Sequence, residues 1–229
     1  MVRHPAAKAI LPGYLTKTET ITVGGLDTIV RSLLDRQQFS DPHGEAERIG
    51  ISSAAWPLFG LVWPSALVLA QQMQHVPLGA RQVLEVGCGL ALASLVVHRR
   101  RGDVTASDCH PLAEGFLREN LRLNALPPLA YQRGDWARAN PSLGRFDLIV
   151  GSDVLYDRHQ PTQLSAFIAL HAQATAEVII VDPDRGNRVA FTRCMAVLGF
   201  VHSERKVRAL PNGTSYKGRV LSYRRERAA

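Results

Sequence analysis

The sequence is poor in the residues that build disulfide and metal sites. Its three cysteines, Cys88, Cys109 and Cys194, form no Cys-x-x-Cys pair, and its eight histidines are not clustered. Neither a disulfide framework nor a metal site is therefore expected. We also find no apolar run near the roughly 20 residues that a membrane helix needs. The stretch Met1 to Tyr14 lacks an apolar core of signal-peptide length, so we expect a cytoplasmic protein.

Acidic residues are fewer than basic ones. Lysine and arginine number 27 against 20 aspartates and glutamates, which gives a formal net charge of +7. A basic balance can indicate an anionic partner such as nucleic acid. The arginines are scattered along the chain, however, and we favour the interpretation that most are ordinary solvated positions. Nucleic acid is thus a disfavoured partner.

The chain divides into an N-terminal arm, 1–50, and a larger domain, 51–229. In the arm, the β-prone runs Thr18 to Val23 and Thr28 to Leu33 flank Gly24-Gly25, a pattern typical of a β-hairpin. The whole chain of 229 residues has a length that suits one domain with a hydrophobic core.

Strands and helices alternate along the larger domain. This alternation predicts an α/β fold with a doubly wound, mostly parallel sheet covered on both faces. The last two strands have only a short link and should pair antiparallel, which makes seven strands in all. The predicted strands are Gln82–Val86, Asp103–Ser107, Leu129–Gln132, Phe146–Gly151, Glu177–Val181, Phe200–Val207 and Ser215–Arg224.

A glycine loop follows the first of these strands. It reads Glu85-x-Gly87-x-Gly89-x-Ala91 and leads into a helix. Glycine allows a sharp turn and a close approach of backbone to a ligand. A dinucleotide fingerprint would need glycine or alanine at position 92, which is leucine here. The loop instead resembles that of class I methyltransferases, which use S-adenosyl-L-methionine, with alanine in the last glycine position as a mild departure.

That resemblance implies roles for acidic residues at the strand ends. Glu85 is expected near the ammonium group of the bound methionine moiety. Asp108, which follows the second strand, can accept both ribose hydroxyls. After the third strand, Asp135 could accept the adenine amino group and Trp136 could stack on the ring.

The fourth strand carries the candidate acceptor residues. It is followed by Ser152-Asp153-x-x-Tyr156 and lacks the Asn-Pro-Pro-Tyr of many amino-methyltransferases. The motif, together with a tryptophan-containing segment around Trp63, resembles the lysine methyltransferase group called methyltransferase family 16. This resemblance implies that Asp153 and Tyr156 are catalytic residues at the acceptor. It implies that the following residues surround the cofactor: Trp63, Gly87, Cys88, Gly89, Asp108, Trp136 and Ser152.

We therefore expect an S-adenosylmethionine-dependent N-methyltransferase that acts on a lysine side chain of a partner protein. Asp153 would hold and orient the amine, and Tyr156 would line the space that the lysine side chain enters and exclude water from it. Proximity and orientation would supply most of the rate. Three alternatives stay open: a small-molecule N-methyltransferase of nicotinamide-like substrates, an RNA methyltransferase, and an inactive cofactor-binding scaffold. No membrane partner and no particular oligomeric state are predicted.

Overall fold

A computed structural model describes residues 14–138 and 140–226 of the chain. It contains a two-stranded antiparallel sheet and a seven-stranded sheet flanked by helices. The predicted fold class is confirmed, including the terminal antiparallel pair. The N-terminal stretch in which we expect no export signal lies, apart from Tyr14, outside the described residues.

The secondary structure follows the predicted alternation. The arm forms the hairpin of β1 (Thr16–Val23) and β2 (Leu26–Leu33). The large sheet comprises β3 (Gln82–Val86), β4 (Asp103–Asp108), β5 (Ala130–Arg133), β6 (Phe146–Ser152), β7 (Ala172–Asp182), β8 (Val201–Ala209) and β9 (Ser215–Arg225). The α-helices are α1 (Glu45–Arg48), α2 (Pro64–Met73), α3 (Leu92–Arg99), α4 (Ala113–Leu123), α5 (Gln160–His171) and α6 (Asn187–Val197).

The strand order in the large sheet is β5-β4-β3-β6-β7-β9-β8. Strands β3 to β7 pair in parallel, whereas β9 pairs antiparallel with both β7 and β8. The chain order reverses direction at the neighbouring strands β3 and β6. Open α/β sheets bind ligands outside the carboxyl ends of the strands at this kind of switch point.

Both faces of the sheet are buried, as a parallel sheet requires. Alternate side chains of β6 enter different cores: Leu148 packs with α2 and α3, and Ile149 packs with α5 and α6. The core on the α2 side also contains the hairpin residues Val23, Val30 and Leu33. The arm therefore shares the core of the larger domain.

Strand β7 begins earlier than predicted. It starts at Ala172 rather than at Glu177, directly after α5 ends at His171. Ala172 already pairs with Phe146, and Arg225 donates to the carbonyls of Gln173 and Ala174. The Arg225 side chain of β9 thus holds this segment extended. Its sequence, Ala-Gln-Ala-Thr-Ala, lacks the large apolar side chains that favour a strand.

By length and composition alone, one described segment, Ser53–Met73, could cross a membrane. This differs from the sequence-based expectation of no such run. In the structure the segment includes two short 3-10 turns and the ten-residue helix α2. Leu69, Ala70 and Met73 of α2 are fully buried. Helix α2 therefore packs in the core of the domain.

Two asparagines, Asn120 on α4 and Asn124 at its C-terminal cap, attach the hairpin to the domain. Asn120 accepts from the backbone N–H of Arg31 (2.7 Å) and donates to its carbonyl (3.3 Å). Asn124, one turn later, forms the same pair of bonds with Ile29 (2.9 and 2.7 Å). The amides thereby take the place of a neighbouring strand and satisfy the outer edge of β2.

We predict that Asn120→Ala lowers the free energy of unfolding by about 1–3 kcal/mol. The truncation would leave a buried backbone donor and acceptor of Arg31 without partners. Asn124→Ala is the matched control and should cost less, because water can reach the exposed bonds at Ile29. Urea unfolding of the two variants checks this. An Asn120→Ala midpoint equal to that of the wild type, or of Asn124→Ala, would contradict it.

Candidate active site

The glycine loop turns the chain from β3 into α3 with three left-handed residues. Gly87, Gly89 and Ala91 have φ values of 57°, 52° and 57°. Glycine adopts this conformation at no cost, whereas a residue with a side chain loses about 1–2 kcal/mol. Ala91 is therefore a strained residue, which makes its departure from the glycine pattern more than the mild change expected from packing alone.

Other segments approach both glycines closely. A Cβ atom at Gly89 would lie 2.8 Å from the carbonyl oxygen of Phe59. One at Gly87 would lie 2.9 Å from Val154 and 3.3 Å from the ring of Trp136. The loop thus meets the segment before α2, the loop after β5 and the loop after β6. Glycine is required here for space as well as for conformation.

Asp108 ties the end of β4 to the glycine loop. Its carboxylate accepts from the backbone N–H groups of Gly89 and His110, each at 2.8 Å. The side chain is buried, and burial raises its pKa despite these bonds. Cys88 lies inside the loop, buried, and its N–H donates to the Ser107 carbonyl at 3.0 Å. The predicted ribose-binding carboxylate therefore lies against the glycine loop.

Glu85 points from β3 toward the first turn of α3. It is buried and accepts from the backbone N–H (2.7 Å) and the hydroxyl of Ser94. Burial raises the pKa of Glu85 to about 7, against the opposing effect of the Ser94 bonds. The structure thus gives Glu85 a contact at the helix start, and its predicted place near an ammonium group stays a prediction.

The remaining cofactor-side predictions lie around this edge of the sheet. Trp136 contacts the position of Gly87, as described, while the Asp135 carboxylate accepts from Ala137 (2.9 Å) and pairs with Arg138 (3.2 Å). Ser152 is the half-buried last residue of β6. Trp63 donates its indole N–H to Leu58 (2.9 Å). Trp63 therefore bonds within the segment before α2, whose Phe59 lies against Gly89.

Sequence reasoning missed two aromatic partners beside Asp108. The ring of His110 stacks on Phe59, with centroids 3.8 Å apart and planes 12° from parallel. Burial lowers the pKa of His110 to about 4, so the imidazole is neutral at physiological pH. Phe59 holds the pre-α2 segment over the glycine loop through this stack. Only the position of His110 two residues after Asp108 could have drawn attention to it.

The candidate acceptor residues follow β6 directly. Asp153 has a left-handed backbone (φ 60°), and its N–H donates to the Val181 carbonyl at 2.9 Å. Val154, the next residue, is the one that approaches Gly87. Asp153 is therefore one residue from the contact with the glycine loop.

Tyr156 lies at the rim of the site, and the residue is 53% exposed. Desolvation of its hydroxyl nevertheless raises the pKa of Tyr156 to about 12, so the hydroxyl is uncharged.

Asp153 has a cationic partner that the sequence did not reveal. The Arg185 guanidinium forms an ion pair with the Asp153 carboxylate. Arg185 follows β7, at the same edge of the sheet, within Asp182-Pro183-Asp184-Arg185. Its backbone N–H donates to Asp182 at 2.6 Å. A basic residue shortly after a parallel strand was the only available signal.

No group of three or more potential metal ligands occurs among the described residues. The site offers instead a glycine cradle, a buried carboxylate at the end of β4, an aromatic ring against the cradle, and an acidic residue after β6.

A sequence profile of the lysine methyltransferase family matches residues 55–191, which is more than half of the chain. The chain belongs to the lysine methyltransferase family. The cofactor of this family is S-adenosylmethionine. The matched range includes every site residue described above.

Curated relatives are similar over part of the chain. Protein N-lysine methyltransferase METTL21A of Mus musculus is 33% identical over 105 residues, 42% of this chain and 47% of that protein. Histone-arginine methyltransferase METTL23 of the same species is 32% identical over 103 residues, 42% of this chain and 41% of that one. The chain spans about half the length of the curated relatives it matches.

Solved structures share the fold. The 16S rRNA N2 G1207 methyltransferase of T. thermophilus covers 95% of this chain and 52% of its own, at 19% identity and a TM-score of 0.63. Magnesium protoporphyrin IX methyltransferase of Synechocystis, with bound S-adenosylmethionine, covers 71% of this chain and 78% of its own, at 20% identity and a TM-score of 0.55. At these identities the likeness concerns the fold alone.

The residues present fit the family's cofactor. Gly87 and Gly89 form a left-handed turn that presents backbone without side chains, and Asp108 offers buried acceptor oxygens beside it. Trp136 supplies an aromatic face at the same place.

We predict that Asp108→Ala weakens S-adenosylmethionine binding by about 1.5–3 kcal/mol. This is the range for hydrogen bonds to a charged group, here to two ribose hydroxyls. Calorimetry on the folded variant checks it, with Asp135→Ala for comparison, since the half-exposed Asp135 should matter less. An unchanged dissociation constant for Asp108→Ala would show that this carboxylate only braces the loop.

Proposed function

We propose that the chain transfers a methyl group from S-adenosylmethionine to the side-chain nitrogen of a lysine in another protein. The observation that carries the proposal is the position of Asp153. Its carboxylate follows β6, and the next residue, Val154, contacts the glycine loop. A methyl donor in the cradle and an acceptor amine on Asp153 would therefore be neighbours.

On the donor side, we assign the residues by chemistry. Asp108 would accept the ribose hydroxyls, Glu85 would balance the ammonium group, and Asp135 and Trp136 would contact the adenine. Cys88, Ser152 and Trp63 would complete the lining. The cofactor supplies an activated methyl group on a sulfonium sulfur, and the protein's contribution is to hold it in line with the acceptor.

On the acceptor side, Asp153 would accept an N–H bond from the amine and aim its lone pair. Tyr156 lies at the rim, where its uncharged ring can cover the lysine stem and exclude water. The left-handed backbone of Asp153 is a strained conformation, of the kind that clusters at functional sites.

The distribution of charge favours a protein over RNA as the partner. Many arginines are already paired with carboxylates of the same chain, which breaks up the basic field that nucleic-acid binding uses. The paired residues are Arg31, Arg81, Arg118, Arg122, Arg138, Arg185, Arg188, Arg219 and Arg224.

A groove beside the hairpin suits an extended segment of a protein substrate. It has a volume of about 620 Å³ and is lined by residues that include Thr20, Thr22, Val62 and Leu67. Within the described residues, no strand other than β2 pairs with β1. The hairpin register leaves the backbone groups of Thr18, Thr20 and Thr22 on that open edge. An extended chain could add to it as a third strand.

A series of side-chain contacts leads from α2, which borders the groove, toward the acceptor residues. Ser65, which lies between Val62 and Leu67, bonds the hydroxyl of Tyr216 at 2.8 Å. Tyr216 in turn interacts electrostatically with Arg185, the partner of Asp153. We propose that a bound segment follows these contacts toward Asp153.

We predict that the purified chain, incubated with methyl-labelled S-adenosylmethionine and cell extract, labels a protein band that releases methyl-lysine on acid hydrolysis. Asp153→Asn should bind the cofactor normally and label the band roughly a hundredfold more slowly, since a misplaced acceptor loses about that factor. Label found only in a dialysable metabolite or in RNA would refute the protein substrate, and absence of any label would indicate a scaffold.

We predict that Thr20→Pro lowers kcat/KM for the labelled protein by roughly two- to tenfold, the loss of one backbone hydrogen bond. Proline removes the open-edge N–H, and no bond within the hairpin is lost because this N–H faces away from β2. Thr20→Val keeps the N–H and is the matched control. Equal activity of the two variants would show that substrates do not pair with β1.

A further inference from the structure

The carboxylate of Asp153, which is proposed to hold the acceptor amine, is already paired with a cationic side chain. Arg185 pairs with Oδ1 of Asp153, and the Asp153 side chain is only 11% exposed. We infer that Arg185 is a positioning residue that neutralises Asp153, so that the site takes an uncharged amine and rejects a guanidinium. This inference rests on the proposed function and concerns the same site.

Arg185 is fixed in place by its own backbone. Its N–H donates to the buried Asp182 carboxylate at 2.6 Å, which sets the turn between β7 and α6. The neighbouring arginines are committed elsewhere: Arg188 bonds Asp184 at 3.0 Å, and Arg219 bonds the same carboxylate at 2.7 Å. Arg185 is therefore the guanidinium that this part of the chain supplies to Asp153.

Apart from Asp182, the other ionisable groups around the pair add little net charge. Asp182, from β7, is buried, and burial raises its pKa to about 6, so it is still mostly ionised at pH 7 and accepts from the Arg185 N–H. The hydroxyl of Tyr216, from β9, has a pKa raised by burial, and Tyr156, on the loop of Asp153, is likewise uncharged. Asp184 is neutralised by the arginines already described. The local charge balance thus depends on Asp153, Arg185 and Asp182, and Asp182 is unchanged in the variants described below.

The chemistry explains why this balance matters. The nitrogen lone pair forms the new N–C bond while the C–S bond breaks and its electron pair stays on sulfur. A lysine ammonium has no lone pair and must first lose a proton to water. An unpaired Asp153 would stabilise the ammonium and oppose that loss. With Arg185 on Oδ1, the second oxygen, Oδ2, can still accept an N–H bond and aim the neutral amine.

The same pair disfavours an arginine acceptor. A guanidinium keeps its charge at all physiological pH values, so it needs a carboxylate that is free of other cations. Here it would meet the Arg185 guanidinium beside Asp153. We therefore expect this chain to differ in its acceptor residue from the relative named as a histone-arginine methyltransferase.

The test is the pH dependence of kcat, which reports ionisations in the enzyme–substrate complex. The probe is the labelled protein fraction from the extract, supplied in excess with S-adenosylmethionine. For Arg185→Gln, the acidic limb of the kcat profile should move to higher pH by on the order of one to three units. Its rate should be far below the wild type at pH 7 and should recover at high pH. Arg185→Lys keeps the charge and should retain the wild-type limb.

Arg188→Gln is the matched control, because it removes a positive charge from the adjoining helix without touching Asp153. It should leave the limb unchanged, and normal S-adenosylmethionine binding shows that each variant is folded. A loss of kcat for Arg185→Gln that is the same at every pH would overturn the inference and indicate a purely structural role. Release of methylarginine from the labelled protein would overturn the proposed lysine acceptor itself, so the two failures are distinguishable.

Discussion

The turn between β3 and α3 is the constraint around which the rest of the site is arranged. Three of its residues, Gly87, Gly89 and Ala91, have left-handed backbones. Such a turn persists only when its surroundings fix it. Here Asp108 accepts from the Gly89 N–H, Cys88 donates to Ser107, and the Phe59 carbonyl lies against Gly89. These contacts bring β4 and the segment before α2 to the same point as β3.

Much of the fold could be predicted from sequence. The alternation of strands and helices is local information, and the short link between β8 and β9 requires antiparallel pairing. The sheet order was not predicted, because the insertion of β9 between β7 and β8 depends on contacts far apart in sequence. The early start of β7 was missed for a similar reason, since the donors that hold it come from Arg225.

For the site too, features that depend on local sequence could be predicted, whereas features that depend on long-range contacts could not. Residues that directly follow a parallel strand, such as Asp108 and Asp153, could be placed at the carboxyl edge from the strand pattern alone. Arg185 and His110 could not be given a role, because an ion pair or a ring stack depends on which segments meet in space. The strain at Ala91 also required the observed backbone angle.

The asparagine attachment of the hairpin has a consequence for the order of events during synthesis. The Asn120 and Asn124 side chains bond residues 89 and 95 positions earlier. At about 5–20 residues per second, the ribosome needs roughly 5–20 seconds to add that length. During this interval the newly made hairpin cannot dock, and Val30 and Leu33, fully buried in the finished protein, remain exposed. The nascent chain thus has a window in which its first strands are available to chaperones or to one another.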